Sequence, residues 1–146
     1  MNIYFLGVGI LVFCAILQLF CKNQSAKLKV ISSGAILGSV FTTFASVKTM
    51  FLGASELVVN VGSVFSNVGF TLDNLSAFFA IIISIMSTLA IIYANGYLKP
   101  YIDKGKNISA HCLFLMLLMS SMLGVVVSQN ALSFLIIWEF FVPIWL

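Results

Sequence analysis

The sequence predicts an all-α integral membrane protein with about five transmembrane helices. Of its 146 residues, 62% are hydrophobic and 8% are charged, and the mean hydropathy is +1.17. Soluble domains carry roughly a quarter charged residues, so this chain could not cover a surface that faces water. Long apolar runs recur between short polar segments, and a helix needs about 20 mostly apolar residues to cross a bilayer.

Four apolar runs are long enough to form spans, and a fifth begins near the end of the chain. The spans are predicted at Ile3–Cys21, Val30–Phe51, Leu75–Leu98 and Ser109–Val127, with the fifth starting at Ala131. The first run is too long for the apolar part of a signal peptide and lacks a basic flank, so we expect a retained helix. The fifth run reaches Leu146 short of a full crossing and without a polar flank. Residues 1–146 are therefore expected to form a single N-terminal transmembrane region, a fragment of a longer protein.

The segment Glu56–Leu72, between the second and third spans, differs in composition from the spans. It mixes Val and Phe with Asn, Gly and Ser. Because β-branched residues favour strands and Gly disfavours helices, we expect an extended or hairpin segment at the membrane surface. Asp73 follows directly, and its side-chain oxygens are suited to cap the first turn of the third helix.

The lysines predict the orientation of the spans. Six of the seven lie in two polar loops, residues 22–29 and 99–106, which share one side when successive spans alternate. Only Lys48 belongs to the other side, together with Glu56 and Asp73. Because short cytoplasmic loops are enriched in Lys and Arg, we expect both loops in the cytoplasm and the N-terminus outside. The expected location is the inner (cytoplasmic) membrane of the cell.

Composition also argues against several classes of function. The net charge of +3 comes from lysines without one arginine, and no basic stripe interleaved with aromatic residues predicts nucleic-acid binding. Cys14, Cys21 and Cys112 lack the spacing of metal ligands, so we predict no metal or other cofactor and expect small buried thiols. Motifs for nucleotide binding or for a catalytic nucleophile are also missing from the sequence.

Glu139 is the main candidate for a functional residue. It is the only Asp, Glu or Lys between Asn107 and Leu146, and it lies roughly 12 Å along the fifth helix, near the centre of a ~30 Å hydrocarbon core. Ionisable residues at that depth are costly and commonly mark ion pathways or proton relays. A movable ammonium partner would make such a carboxylate a proton switch, yet no lysine of this chain lies at that depth. The alternative is a short interfacial helix with Glu139 at its wet end.

Three further features are secondary candidates. Pro143 lies four residues after Glu139, so we expect a helix kink that frees a carbonyl for water or a cation, the alternative being a kink used only for packing. His111 opens the fourth span and could pass protons because imidazole changes charge near neutral pH; the alternative is an interfacial residue. Gly34 and Gly38 form a G-x-x-x-G pattern that predicts close helix packing.

Five stretches in the second half of the chain carry a family resemblance. They are Leu72–Phe79, Tyr93–Leu98, Ser121–Val126, Gln129–Phe134 and the pair Trp138-Glu139. In order and spacing they resemble the antiporter-like membrane subunits, which include the proton-pumping subunits of complex I, the Mrp sodium/proton antiporters and the membrane subunits of formate hydrogenlyase and related hydrogenases. Lys99-Pro-Tyr101 and Ser109-Ala-His111 resemble the hydrogenase-type subunits most. The stretch Phe140–Pro143 departs from the small or Ser-containing residues of many members.

The resemblance implies a role for Glu139 and a class of partners. In this family the glutamate of the fifth helix belongs to the proton pathway and pairs with a lysine on a later helix. The implied function is translocation of protons, or of sodium ions, across the lipid bilayer. The implied partners are other membrane subunits of an NADH:quinone oxidoreductase or hydrogenase complex, which would hold the redox sites while the first four helices serve as scaffold. The alternatives are a short structural or assembly protein without transport, or a small transporter that self-associates around Glu139.

Overall fold

A computed structural model describes residues 1–60 and 67–139. The elements are α1 (Asn2–Phe20), α2 (Gln24–Leu52), β1 (Ser55–Asn60), β2 (Asn67–Leu72), α3 (Asn74–Asp103), α4 (Ser109–Val126) and α5 (Ala131–Glu139). Within the described ranges, four helices, α1 to α4, are long and apolar enough to cross a membrane, and α5 is short. The predicted helical membrane fold with an extended segment between the second and third helices is confirmed.

Two helices extend further than their apolar runs predict. α2 begins at Gln24, so most of the predicted loop 22–29 is helical, and the Asn23 side chain caps it by accepting from the Ser25 N–H at 3.0 Å. α3 continues through Pro100 to Asp103, so the predicted loop 99–106 is wrong in its extent as well. Hydropathy marks only the part of a helix that lies in hydrocarbon, whereas Lys, Gln and Ser continue a helix into water at little cost.

α1 and α2 pack closely through glycine, as the G-x-x-x-G pattern predicts. A Cβ atom on Gly34 would lie 2.5 Å from the Cys14 sulfur, and one on Gly38 would lie 2.7 Å from Leu11. Small residues at such a contact let two helix backbones approach, which increases their van der Waals contact. The Cys14 thiol thus serves as a packing group between the two helices.

Tyr4 ties α1 to α4. Its side chain is fully buried, and its hydroxyl donates to the Leu123 carbonyl at 2.8 Å. Met116 and Met119 are buried on the same helix as Leu123. Because a buried hydroxyl without a partner costs free energy, this bond makes the burial of Tyr4 compatible with an apolar core.

The hairpin and the α4–α5 connection lie at one end of the bundle, which we call the hairpin end. β1 and β2 pair antiparallel from Ser55↔Leu72 to Asn60↔Asn67, and residues 61–66 lie outside the described ranges. On its other edge, β2 accepts a bond from the Gln129 N–H to the Gly69 carbonyl at 3.0 Å and donates from the Thr71 N–H to the Val127 carbonyl at 2.8 Å. The hairpin prediction is confirmed. Two helices, α3 and α4, separate these segments in the chain, so a shared end is what alternating spans require.

The opposite end, called the lysine end, brings together the two lysine-rich segments. Gln18 Nε2 donates to the Ser109 carbonyl at 3.1 Å, and the Lys27 ammonium donates to the Ser109 hydroxyl. Residues 22–29 and 99–106 therefore share one end of the bundle, as the alternation of spans predicts. Lys27 differs from the expectation of lysines at interfaces or in loops, because it lies within α2 and is only 6% exposed.

Candidate functional site

α5 begins at the hairpin end and runs back along α4. The N–H of Phe134 donates to the Asn130 carbonyl at 2.9 Å and forms the first turn of the helix. A Cβ atom on Gly124 would lie 3.2 Å from Ile137 Cγ2, so the absence of a side chain at Gly124 lets α5 approach α4. The Ile137 side of α5 is therefore its packed side.

Several described side chains of α5 away from Ile137 are exposed and apolar, and the helix ends at Glu139. Its exposed large side chains are Phe134, Leu135, Ile136 and Trp138, each between 40% and 55% exposed. The Phe134 and Trp138 rings stack with centroids 5.8 Å apart and planes inclined by 12°. Glu139 is exposed as well. An ionisable side chain beside an apolar surface of this kind is typical of a helix that needs a partner in the membrane.

Neither His111 nor a lysine lies beside Glu139. Across residues 1–60 and 67–139, no ammonium or imidazole comes within ion-pair distance of the Glu139 carboxylate. His111 lies in the first turn of α4 at the lysine end, where it borders a surface hollow of about 250 Å³ together with Tyr97 and Lys106. It lies roughly 22 Å from the hairpin end, against roughly 12 Å for Glu139, by the helical rise. The structure therefore keeps the two candidates apart, and Pro143 lies outside the described residues.

Sequence reasoning missed a polar seam between α2 and α3. The seam consists of Ser32, Ser39 and Thr42 on α2 and Ser84, Thr88 and Asn95 on α3. Three pairs cross it: Ser32 Oγ and Asn95 Oδ1 at 2.9 Å, Ser39 Oγ and Thr88 Oγ1 at 2.8 Å, and Thr42 Oγ1 and Ser84 Oγ at 2.8 Å. Small hydroxyl side chains commonly join membrane helices in this way. The signal was present as Ser and Thr at three- to seven-residue intervals within an apolar helix.

A second polar group that the sequence did not reveal lies at the lysine end. The Ser109 hydroxyl accepts from the Lys27 ammonium and donates to Asn107 Oδ1 at 2.6 Å. Gln18 is fully buried beside it, although its Oε1 atom has no hydrogen-bond partner among the described residues. These bonds join the beginning of α2 to the beginning of α4. Their role is to hold the helix ends together, since buried polar groups are stable only when bonded.

Comparison with known proteins identifies relatives among antiporter and respiratory subunits. The family model for the N-terminus of chain 5 of NADH-ubiquinone oxidoreductase (complex I) matches residues 58–107. The candidate antiporter subunit mnhA2 of Staphylococcus aureus (strain MRSA252) is 30% identical over 145 residues, which is 95% of this chain and 18% of that protein. NAD(P)H-quinone oxidoreductase chain 5 of Synechocystis is 34% identical over 109 residues, 75% of this chain and 15% of that protein.

The region matched by the family model corresponds closely to elements of the fold. Residues 58–107 take in most of the hairpin, all of α3 and the turn that follows it. The chain spans less than a fifth of the length of these relatives. Its apolar helices and its relatives together make it a multi-pass membrane protein. The chain belongs to the antiporter-like membrane subunits, the family of complex I chain 5 and of the Mrp-type antiporter subunits.

Proposed function

We propose that this chain is part of an ion-translocating subunit in which Glu139 takes up and releases protons. The observation that carries the proposal is the position of this carboxylate on α5, roughly 12 Å from the hairpin end and next to uncovered apolar side chains. Two relatives are named as an antiporter subunit and as a quinone oxidoreductase chain, which supports a role in ion movement coupled to a larger assembly.

The proposed mechanism is a proton switch. A carboxylate in hydrocarbon favours its neutral form, and an approaching ammonium favours its charged form. A lysine that moved towards Glu139 would release the proton, and a lysine that withdrew would allow a new proton to bind. Because the described residues offer no such ammonium near Glu139, we assign it to a helix outside them or to another membrane subunit of the complex. In this mechanism, the role of His111 would be limited to passing protons into the protein at the lysine end.

Orientation and ion are further parts of the proposal. We infer that the lysine end faces the cytoplasm and the N-terminus the outside; the six lysines at that end support this by the positive-inside rule. The membrane would be the inner (cytoplasmic) membrane of the cell. A single carboxylate can serve protons or sodium ions, so transport should be measured at several sodium concentrations to separate the two.

The decisive experiment replaces Glu139 in the intact complex of the cell. Glu139→Gln keeps the size and removes the titratable group, so proton uptake by inverted membrane vesicles should fall at least tenfold while the amount of assembled complex is unchanged. Glu56→Gln is the matched control, because it removes a carboxylate from the hairpin end and should leave uptake intact. Unchanged uptake in Glu139→Gln would overturn the relay.

The structural alternative predicts a different result from the same variant. The α1–α4 bundle holds together through its own contacts, as a membrane scaffold would. If the chain served only in assembly, Glu139→Gln would lower the amount of complex and its transport in equal proportion. A quantitative blot of assembled complex beside the uptake assay separates the two functions.

A further inference from the structure

A continuous groove runs along the exposed side of α2 and α3, and its two ends differ in chemistry. At the lysine end it opens as a recess of about 680 Å³ bordered by Ser32, Asn95, Lys29, Lys99 and Asp103, among others. Deeper along the helices lies a recess of about 540 Å³ bordered mainly by Val40, Phe44, Val47, Ile85 and Leu89. Ile36 borders both recesses, so they adjoin along the same two helices, and we call the pair the α2–α3 groove.

The apolar part of the groove is open at the surface, and three of its four lining hydroxyls are already bonded. Val40 and Phe44 are 59% and 60% exposed on α2, and Leu89 is 55% exposed on α3. The polar seam lies along the same helices, and its hydroxyls are already bonded, as in the 2.8 Å pair between Ser39 and Thr88. An occupant of this part must therefore be largely apolar, because Thr43 alone among the lining residues has a hydroxyl without a bond to the described residues.

The mouth of the groove carries unpaired positive charge. Lys29 and Lys99 are exposed, and neither forms an ion pair with Asp103 or another carboxylate in the described part of the chain. Asn95 uses its oxygen to accept from Ser32 at 2.9 Å, which leaves its amide N–H groups for an acceptor. With two ammonium groups against the one carboxylate of Asp103, the mouth suits a singly charged anion that accepts hydrogen bonds.

The dimensions match one lipid molecule. Ile36 to Val47 covers roughly 16 Å along α2, and one leaflet of a ~30 Å hydrocarbon core is roughly 15 Å deep. Lys29 lies roughly 10 Å further towards the lysine end, by the same rise per residue. A charged mouth at headgroup depth and an apolar continuation at acyl-chain depth therefore occur in the correct order.

We propose that the α2–α3 groove binds an anionic phospholipid. The phosphate lies at the mouth between Lys29 and Lys99, and one acyl chain follows the apolar part from Ile36 to Val47. Basic pockets between membrane helices recognise anionic headgroups by charge, and the groove adds the apolar surface for the chain. The site is independent of Glu139, which lies on α5.

Lipid binding by the protein extracted in mild detergent tests the headgroup part. Native mass spectrometry with phosphatidylglycerol, and with phosphatidylcholine of the same acyl chains, should show a preference of about tenfold for the anionic lipid. The double variant Lys29→Gln/Lys99→Gln should lose that preference. The matched control Lys104→Gln/Lys106→Gln removes equal charge just beyond α3, outside the groove lining, and should keep it. Equal loss in both double variants would mean surface attraction and would overturn the site.

Filling the groove tests the acyl-chain part. Val40→Trp places a bulky ring in the apolar recess and should lower phosphatidylglycerol binding about tenfold. Leu6→Trp, at a position 52% exposed on α1, introduces the same ring outside the groove lining and should leave binding unchanged. Thermal unfolding of both variants checks that they are folded. Binding that survives in a folded Val40→Trp protein would contradict the proposal.

Discussion

The α1–α4 bundle and α5 differ in the contacts that hold them in place. In the bundle, α1 packs on α2 at Gly34, Tyr4 bonds to the Leu123 carbonyl, and the polar seam joins α2 to α3. α5 packs on α4 at Ile137, and four of its side chains are about half exposed: Phe134, Leu135, Ile136 and Trp138. The difference indicates that several separate contacts hold α1 to α4 together, whereas α5 is attached to them by fewer contacts.

This difference can be tested because stability and transport should depend on different residues. A change inside the bundle should unfold the protein. A change at the α4–α5 contact should move Glu139 and leave the bundle folded.

The largest effect is expected for Gly34→Leu. Its Cβ would lie 2.5 Å from the Cys14 sulfur and 2.6 Å from the Cys14 Cβ, so α1 and α2 must separate. We expect a loss of about 3 kcal/mol in the free energy of unfolding, measured by thermal unfolding in mild detergent. Gly9→Leu is the matched control, because a Cβ on Gly9 meets no heavy atom within 4 Å. Equal stability of the two variants would show that the glycine contact does not hold the bundle.

A smaller effect on stability and a large effect on transport are expected for Gly124→Leu. The Cβ atom of the new side chain would lie 3.2 Å from Ile137 Cγ2, so the atoms beyond it push α5 away from α4. Proton uptake should fall about tenfold, while the free energy of unfolding of the bundle changes by less than about 1 kcal/mol. Gly96→Leu, which meets no heavy atom within 4 Å on α3, serves as control. A loss of stability as large as in Gly34→Leu would show that the α1–α4 bundle depends on its contact with α5.

The smallest effect is expected at the cap of α3. Asp73 Oδ1 accepts from the Ser76 N–H at 2.7 Å, and hydrogen bonds from the Ser76 side chain and backbone lower the pKa of this carboxyl. Asp73→Ala should cost about 1 kcal/mol at pH 7. Because folding lowers the pKa of Asp73, the charged cap stabilises the protein fully when the pH is above the pKa of the unfolded chain, about 4. This stabilisation is lost as the pH falls through the lower pKa of the folded state.

The pH dependence supplies the control for the cap. Asn caps as well as Asp but does not titrate, so the stability difference between the native protein and Asp73→Asn should change in acid. Thermal unfolding at pH 7 and pH 3 measures this difference. If it were the same at both values, the lowered pKa would play no part in the stability of α3.

The sequence was sufficient for features that depend on composition over many residues. Apolar runs placed the helices, the Val, Asn and Gly mixture of Glu56–Leu72 predicted the hairpin, and Asp73 was identified as a cap. Each of these depends on local chemistry, which a short window of sequence contains. The depth of Glu139 follows from the same kind of count and stays a prediction for the membrane.

Contacts between residues that are far apart in the chain could not be predicted from the sequence. The G-x-x-x-G pattern predicted a close contact, but only the structure shows that Cys14 of α1 occupies it. Lys27 was expected at an interface or in a loop, but it is buried and bonded to Ser109, which lies 82 residues further along the chain. The helix ends were missed for a different reason, since hydropathy reports depth in the membrane rather than backbone conformation.

The contact between β2 and the α4–α5 connection has a consequence for biogenesis. As the ribosome makes the chain, β1 and β2 can pair as soon as residue 72 has emerged, and the Thr71 N–H and Gly69 carbonyl on the other edge then have only water as a partner. They find Val127 and Gln129 after about 55 more residues, once α3 and α4 have inserted. The hairpin thus forms before its second partner is made, and its outer edge fixes where the connection from α4 to α5 lies.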